Sequence, residues 1–354
     1  MTSQKGLPIF DAHMHVAYDI PLEEGLENFA KRMKGRSIAG GTLMGMTMSS
    51  HREGFHPLDS IFALYYKDKL PGTYTAFAAL DAYTEDPDYY LTLAKKAMEL
   101  GFDGFKSLLG APTNRKRVGR GICHPCFDKF FSYIEAEEIP FTIHTGNPAM
   151  YWDLENAPED AIRNNRVFDS SFPTLDQLYG EAESLLERHP KLHITFAHFM
   201  FLGDNHDRAK RLLDTYENVT LDLAPAAEVF VDMSKNIPLW KEFFITYQHR
   251  ILFGSDTYVA YPTLNTPLAD AACNFLEGAG PYTCRHNGLE IMGLELDEPV
   301  LKNIYWDNAM RLRKRHPLNK PEIVALCQRM LQTPESLMGN DKDNLEILIR
   351  DFSK

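Results

Sequence analysis

The chain has 354 residues, 44% of them hydrophobic and 24% charged, with a formal net charge of −12. That length allows one large α/β domain or two of average size. An acidic surface repels polyanions, which excludes nucleic acid as the expected partner. No apolar run approaches the roughly 20 residues a bilayer needs, which excludes a membrane span. The opening "MTSQKGLPIFDAH" lacks the apolar core and cleavage site of a secretory signal. Five cysteines, Cys123, Cys126, Cys273, Cys284 and Cys327, are odd in number and scattered. They suit a reducing compartment, and the expected location is cytoplasmic.

Taken in chain order, short apolar runs alternate with segments of helical period. Strands are predicted at 8–15, 41–49, 73–81, 102–109, 139–146, 192–200, 218–224 and 250–256. "DPDYYLTLAKKAMELG" carries an Asp-Pro start and a Gly101 stop, the signature of a bounded helix. "PCFDKFFSYIEAEE" places Phe127, Phe130, Phe131 and Ile134 on one helical face. "TLDQLYGEAESLLERHP" and "HDRAKRLLDTYEN" read the same way. Strand–helix alternation at this spacing predicts parallel strands with crossover helices, and the fold expected is α/β, a distorted (β/α)8 TIM barrel. A doubly wound open sheet is the rival. After Asp256 come a long loop and helix, the helix "DEPVLKNIYWDNAMRLRK", and a helical tail. The expected organisation is a barrel over 1–315 with a helical C-terminal appendage over 316–354 and no linker between them.

The chemistry begins in "PIFDAHMHV". Alternate residues of a strand share a face, so His13 and His15 form half a metal site. An HxH pair alone is weak, because such pairs occur without metal. Three further polar residues end apolar strands: His144 in "FTIHTG", His198 in "ITFAHFM" and Asp256 in "ILFGSD". The carboxyl edge of a parallel sheet is where active sites are built. Buried unpaired, these groups would cost several kcal/mol, and a shared metal satisfies them together. A divalent ion bound this way lowers the pKa of bound water toward about 7.

The motifs "FDAHMHV", "GFDGFKSLLG", "IPFTIHTGNP", "ITFAHF", "ILFGSDT" and "IYWDNAMRL", in this order over about residues 8–315, resemble the amidohydrolase superfamily. The likeness is greatest to its amidohydrolase-related branch of metal-dependent TIM-barrel hydrolases, which includes decarboxylases. The resemblance implies one divalent metal, zinc before others, held by His13, His15, His144 and Asp256. It makes Asp256 and His198 the catalytic residues, with His198 acting on bound water or substrate; in a binuclear relative His198 would bind a second metal. It implies a homodimer as well. Lys106 stands where binuclear members carry a carboxylated lysine, but the default is a mononuclear site with a lysine that hydrogen-bonds substrate or a neighbouring carboxylate.

Other residues are assigned from position alone. Arg52, in the segment after strand two, is a candidate for a substrate carboxylate, and Trp152 for an apolar wall. Asp222, ending strand seven, either touches substrate or holds a histidine from behind. Arg115, Lys116, Arg117 and Arg120 concentrate positive charge in one loop, which points to an anionic substrate or, equally, to a solvated loop. "CHPC" has CxxC spacing but neither a redox context nor a second cysteine pair, so Cys123 and Cys126 are expected to be bystanders. The leading expectation is a hydrolase that attacks an amide, ester or lactone of a small carboxylated or cyclic substrate. The alternative is non-oxidative decarboxylation, or hydration, of an unsaturated or aromatic acid.

Overall fold

The structure is a computed structural model that describes residues 2–16, 20–45, 58–70, 72–224, 227–261, 266–285, 288–332, 337 and 339–354. The main sheet is built from β1 (Ile9–His15), β2 (Ile38–Met44), β3 (Thr73–Leu80), β4 (Gly104–Gly110), β5 (Phe141–Thr145), β6 (Ile194–Phe196), β7 (Val219–Asp222), β8 (Ile251–Leu252) and β9 (Thr257–Tyr258). Its order is β8-β7-β6-β5-β4-β3-β2-β1-β9. Neighbours in space are neighbours in sequence, so the order never reverses as it would in a doubly wound sheet.

The two ends of this sheet belong to one stretch of chain. β8 pairs with β7, while β9 pairs with β1. The Ala12 amide donates to Phe253 O (2.8 Å), Asp256 N to His13 O (2.9 Å) and Val259 N to His15 O (2.8 Å). The eighth strand is therefore split, and its two halves close the barrel. Asp256 lies in the break with φ 52°, a left-handed conformation uncommon for a residue with a side chain.

Helices clad the strands as their patterns predict. Helix Pro87–Leu100 is capped by Asp86, which accepts from Asp88 N, and stops at Gly101 with φ 99°. A Cβ at Gly101 would lie 2.5 Å from Pro317 O, so only glycine lets the C-terminal segment pass this close. Helix Leu175–Arg188 starts with a complete Thr174–Gln177 capping box. Phe105, Phe130, Phe131 and Phe141 meet edge to face behind β4 and β5. The "PCFDKFF" segment begins as a single 3-10 turn before helix Asp128–Ala136.

The expected strand 41–49 begins three residues early, at Ile38. Its "AGG" run conceals strand character, yet a Cβ at Gly40 would sit 2.2 Å from Thr73 O. The glycine is present because β3 approaches so closely. Residues 46–49 of that expectation lie outside the described residues. The helical tail forms Lys320–Leu331 and Asp341–Phe352, which pack on each other, with the first also against Pro87–Leu100. No helix among the described residues is long and apolar enough to cross a membrane.

Candidate metal centre

β1 brings His13 and His15 to the carboxyl end of the barrel, both buried. Behind them Asp222 is wholly buried at the end of β7. His13 Nδ1 donates to Asp222 Oδ2 (2.9 Å). Asp222 Oδ1 accepts from His198 N (2.9 Å) and Ala224 N (3.0 Å). One carboxylate thus fixes both the ring of His13 and the backbone of His198. The sequence placed Asp222 either against substrate or behind a histidine, and the second position is the one observed. Every contact it makes is to the protein, and it does not line the cavity.

The hydrogen-bond partners assign the tautomers. Because Asp222 accepts from His13 Nδ1, the Nε2 of that ring is unprotonated, with a lone pair that faces Lys106 Nζ at 3.1 Å. His198 Nδ1 faces Ala224 O at 3.1 Å, and a carbonyl only accepts, so His198 Nε2 is also unprotonated. By the same argument His144 Nε2, 2.9 Å from Gly146 O, carries the proton and leaves Nδ1 bare. Three imidazoles are prepared as ligands by acceptors on their far sides.

The donor atoms converge. His13 Nε2 lies 3.1 Å from His15 Nε2 and 3.5 Å from Asp256 Oδ1, and His15 Nε2 lies 3.0 Å from the same oxygen. A tetrahedral ion with bonds near 2.0–2.2 Å has ligand–ligand edges of roughly 3.3–3.6 Å, so the triangle is within a few tenths of an ångström of a coordination face. His13, His198 and Asp256 also each offer a ligand atom within 4.8 Å of the others. The His144 and His198 rings are 4.7 Å apart. His15 Nδ1 is buried without a hydrogen-bond partner. Two imidazole nitrogens facing each other at 3.1 Å, both beside the Asp256 carboxylate, fit a cation better than they fit each other. His198, expected to act beside the metal, stands as near to His13 and Asp256 as a ligand would.

Electrostatics agree. Burial lowers His13, His15 and His144, and it brings His198 down to about 4, so the imidazoles are neutral and able to bind metal. Burial would raise Asp256, but its hydrogen bond to His15 and the surrounding histidines outweigh this and hold it well below the usual carboxylate range. Burial likewise opposes ionisation of Asp222, yet His13 and His198 keep it at about 2. Asp11, under the site, is pushed up to about 7 by burial despite bonds from Ser255. It accepts from His13 N (3.1 Å), Ser255 N (3.0 Å) and Ser255 Oγ, joining the first strand to the residue before Asp256. Lys106, buried on β4, is lowered to about 8 by burial against the pull of Asp222 and Asp256. Its Nζ is 3.1 Å from His13 Nε2.

His198 also begins an unusual turn. His198, Phe199, Met200 and Phe201 have φ of 57°, 53°, 52° and 53°. Four successive non-glycine residues in left-handed geometry cost on the order of 1 kcal/mol each. The Asp222 bond to His198 N and the Tyr179 hydroxyl donating to Met200 O (3.0 Å) hold the turn. Strain of this kind persists where surrounding contacts over-determine it, as functional sites do.

The cluster forms the floor of a cavity of about 1080 Å³, lined by His15, Lys106, His144, His198 and Asp256. Several expected lining residues are elsewhere. Trp152 packs on Phe168 (4.7 Å) and donates its indole N–H to Pro173 O (3.1 Å), while neighbouring Tyr151 faces the cavity. The Arg115–Arg120 charges are consumed by partners: Arg115 by Glu181, Lys116 by Ser171 and the Phe172 ring, Arg117 by Asp81, and Arg120 by Glu85. They form helix Pro112–Val118 and its exit, not an anion trap. Arg163 and Arg166 line the cavity instead; no motif marked them, because they follow an excursion after β5 whose path only the fold reveals. Arg52 lies outside the described residues. Cys123 and Cys126 are free thiols raised by burial, which suits bystanders.

Fold and site together define a parallel barrel with a histidine–carboxylate cluster at the carboxyl ends of its strands. The amidohydrolase family model matches residues 10–313, and the chain belongs to that family, whose members are metal-dependent enzymes. No curated protein matches the sequence. Among solved structures, a TIM-barrel protein, Bb4693, of Bordetella bronchiseptica is similar at 14% identity and TM-score 0.53, covering 86% of this chain and 98% of its own. The 2,6-dihydroxybenzoate decarboxylase of Rhizobium is similar at 16% identity and TM-score 0.50, with the same coverage of 86% and 98%. The 5-carboxyvanillate decarboxylase of Sphingomonas paucimobilis is similar at 10% identity and TM-score 0.50, again covering 86% and 98%. At these identities the likeness is one of fold.

Proposed function

We propose that the protein is a metal-dependent, non-oxidative decarboxylase of a small aromatic or unsaturated carboxylic acid. This reverses the order of the two readings taken from sequence, which placed hydrolysis first. The observation that carries it is Lys106. A buried ammonium faces the cavity at 3.1 Å from His13 Nε2, with no carboxylate in salt-bridge contact among the described residues. A buried cation calls for an anion, and a substrate carboxylate supplies one beside the metal. The decarboxylases among the similar folds support the reading.

His13, His15, His144 and Asp256 are the proposed ligands of one divalent ion, zinc first, with His198 within reach. When bound, the ion supplies positive charge that orients the carboxylate and stabilises the electron pair released on loss of carbon dioxide. Lys106 binds the same carboxylate from the β4 side. Asp256 is ionised and faces the cavity. It relays a proton from bulk water to the ring carbon, which takes that proton in place of the carboxyl group as the carbon–carbon bond breaks and carbon dioxide leaves. His198, with its bare Nε2 held by the Ala224 and Asp222 contacts, orients the reacting group.

The test is product analysis in 18O-water with zinc- or manganese-loaded protein and a panel of hydroxybenzoates, carboxyvanillates, amides and lactones. Carbon dioxide release with no 18O in the organic product is expected. Label incorporated into an acid product, without carbon dioxide, would restore hydrolysis.

A further inference from the structure

The cavity's far wall is an excursion after β5. Its core is Tyr151, Ala161 and Phe168, all buried, with Trp152, Val167 and Phe172 packed around them. Phe168 N donates to Tyr151 O (2.8 Å), closing the excursion on itself. Within it, the short helix Glu159–Arg163 ends where Asn165 turns left-handed, φ 54°. Arg166 N reaches back to Ala161 O (2.8 Å) and Asn165 N to Ile162 O (3.1 Å). This is the double bond of a left-handed helix stop. It reverses the chain so that Arg163 and Arg166 both line the cavity.

Neither guanidinium has an ion pair or side-chain hydrogen bond among the described residues. Glu159 lines the same cavity and makes no salt bridge with either arginine among the described residues. The contrast with helix Pro112–Val118 and its exit is direct, since each of its cationic side chains has a partner. Both side chains are exposed at the cavity wall, so the two guanidiniums are hydrated there and available to an anion that enters. Guanidinium is a planar fork suited to bidentate carboxylate binding, and charge inside a concave wall is focused toward the ligand. A cavity of about 1080 Å³ lies just above the ~300–1,000 Å³ typical of ligand sites, leaving room beyond one ring.

We propose that Arg163 and Arg166 form a distal anion subsite, so that the substrate carries two acidic groups, one at the metal and Lys106 and one at this pair. The inference rests on the decarboxylase reading for its first anion and adds the second. It makes the wall after β5, not the strand ends, the determinant of substrate choice.

Calorimetric binding to zinc-loaded protein tests it with two matched pairs: isophthalate against benzoate, and biphenyl-4,4′-dicarboxylate against biphenyl-4-carboxylate. In at least one pair the diacid should bind wild type about tenfold or more tightly than the monoacid. That ratio should shrink to within about threefold in R163Q/R166Q and invert in R163E/R166E. Both arginines are exposed, and thermal unfolding of each variant confirms that it is folded. A diacid preference absent from wild type, or retained in either variant, overturns the subsite. Because the readout is a binding ratio, a protein that prefers diacids but releases no carbon dioxide keeps this inference and loses the preceding one.

Discussion

Two buried charged networks sit at opposite ends of the β4 region, and they differ in one respect. Near the amino end, Lys67 Nζ donates to Asp103 Oδ1, Gly101 O and His316 O, each at 2.8 Å. Asp103 accepts in addition from Ala76 N (2.8 Å) and His316 N (2.6 Å). The lysine's three donors are matched, and the network fastens the C-terminal tail to the barrel. At the carboxyl end, Lys106 Nζ meets an imidazole, two imidazole nitrogens oppose each other, and His15 Nδ1 has no partner. A satisfied network is complete as structure, whereas an unsatisfied one is complete only with something bound.

Four experiments break or sharpen that contrast, from the largest expected effect downward. Asp256→Asn should lower kcat/KM by about 10²–10⁴-fold, measured on metal-loaded protein, and leave the thermal midpoint nearly unchanged. Lys67→Met strands a buried carboxylate, so denaturant unfolding should show a loss of about 3–5 kcal/mol; metal affinity should hold in the surviving folded fraction. Asp222→Asn releases the His13 tautomer, and competition against a chelator should show metal binding weakened about 10–100-fold. Lys106→Met removes a buried cation that has one imidazole contact and no salt bridge among the described residues. Chemical denaturation of the stripped protein should show a gain of up to about 1 kcal/mol, opposite in sign to Lys67→Met.

A pH series on stripped protein addresses the same contrast. His198 titrates at about 4 in the fold against 6.5 for the free side chain, so on acidification the unfolded chain takes the proton first. Stability is fully present above about pH 6.5 and declines as pH falls toward about 4. Loading with zinc should move this decline to lower pH, and coincident curves for stripped and loaded protein would count against a shared ion.

The barrel was readable because its strands are β-branched and apolar and its helices carry Asp-Pro starts and a glycine stop. Strand β2 was misplaced because Gly40 and Gly41 answer to the closeness of β3, a tertiary demand with no local signature. The split of the eighth strand around Asp256 was invisible for a similar reason: its two halves are defined by different partners. His13, His15, His144, His198 and Asp256 stood out because polar residues ended apolar runs. Asp222 gave the same signal and proved to lie behind His13, since sequence marks a strand end but not which way its side chain is satisfied. Trp152 and the Arg115–Arg120 group misled because aromatic and basic residues in loops usually find protein partners. Arg163 and Arg166 carried no signal at all, because the left-handed stop at Asn165 that turns them inward looks like any Asn-Asn pair.

The most direct test of the shared-ion claim is metal stoichiometry by mass spectrometry on chelator-stripped, zinc-reconstituted protein, joined to X-ray absorption of the bound ion. The account predicts one ion per chain in a shell of nitrogen and oxygen, lost in H13A and in D256A while both variants remain folded. An ion bound equally well by H13A and D256A, or no retained ion in wild type, would contradict it.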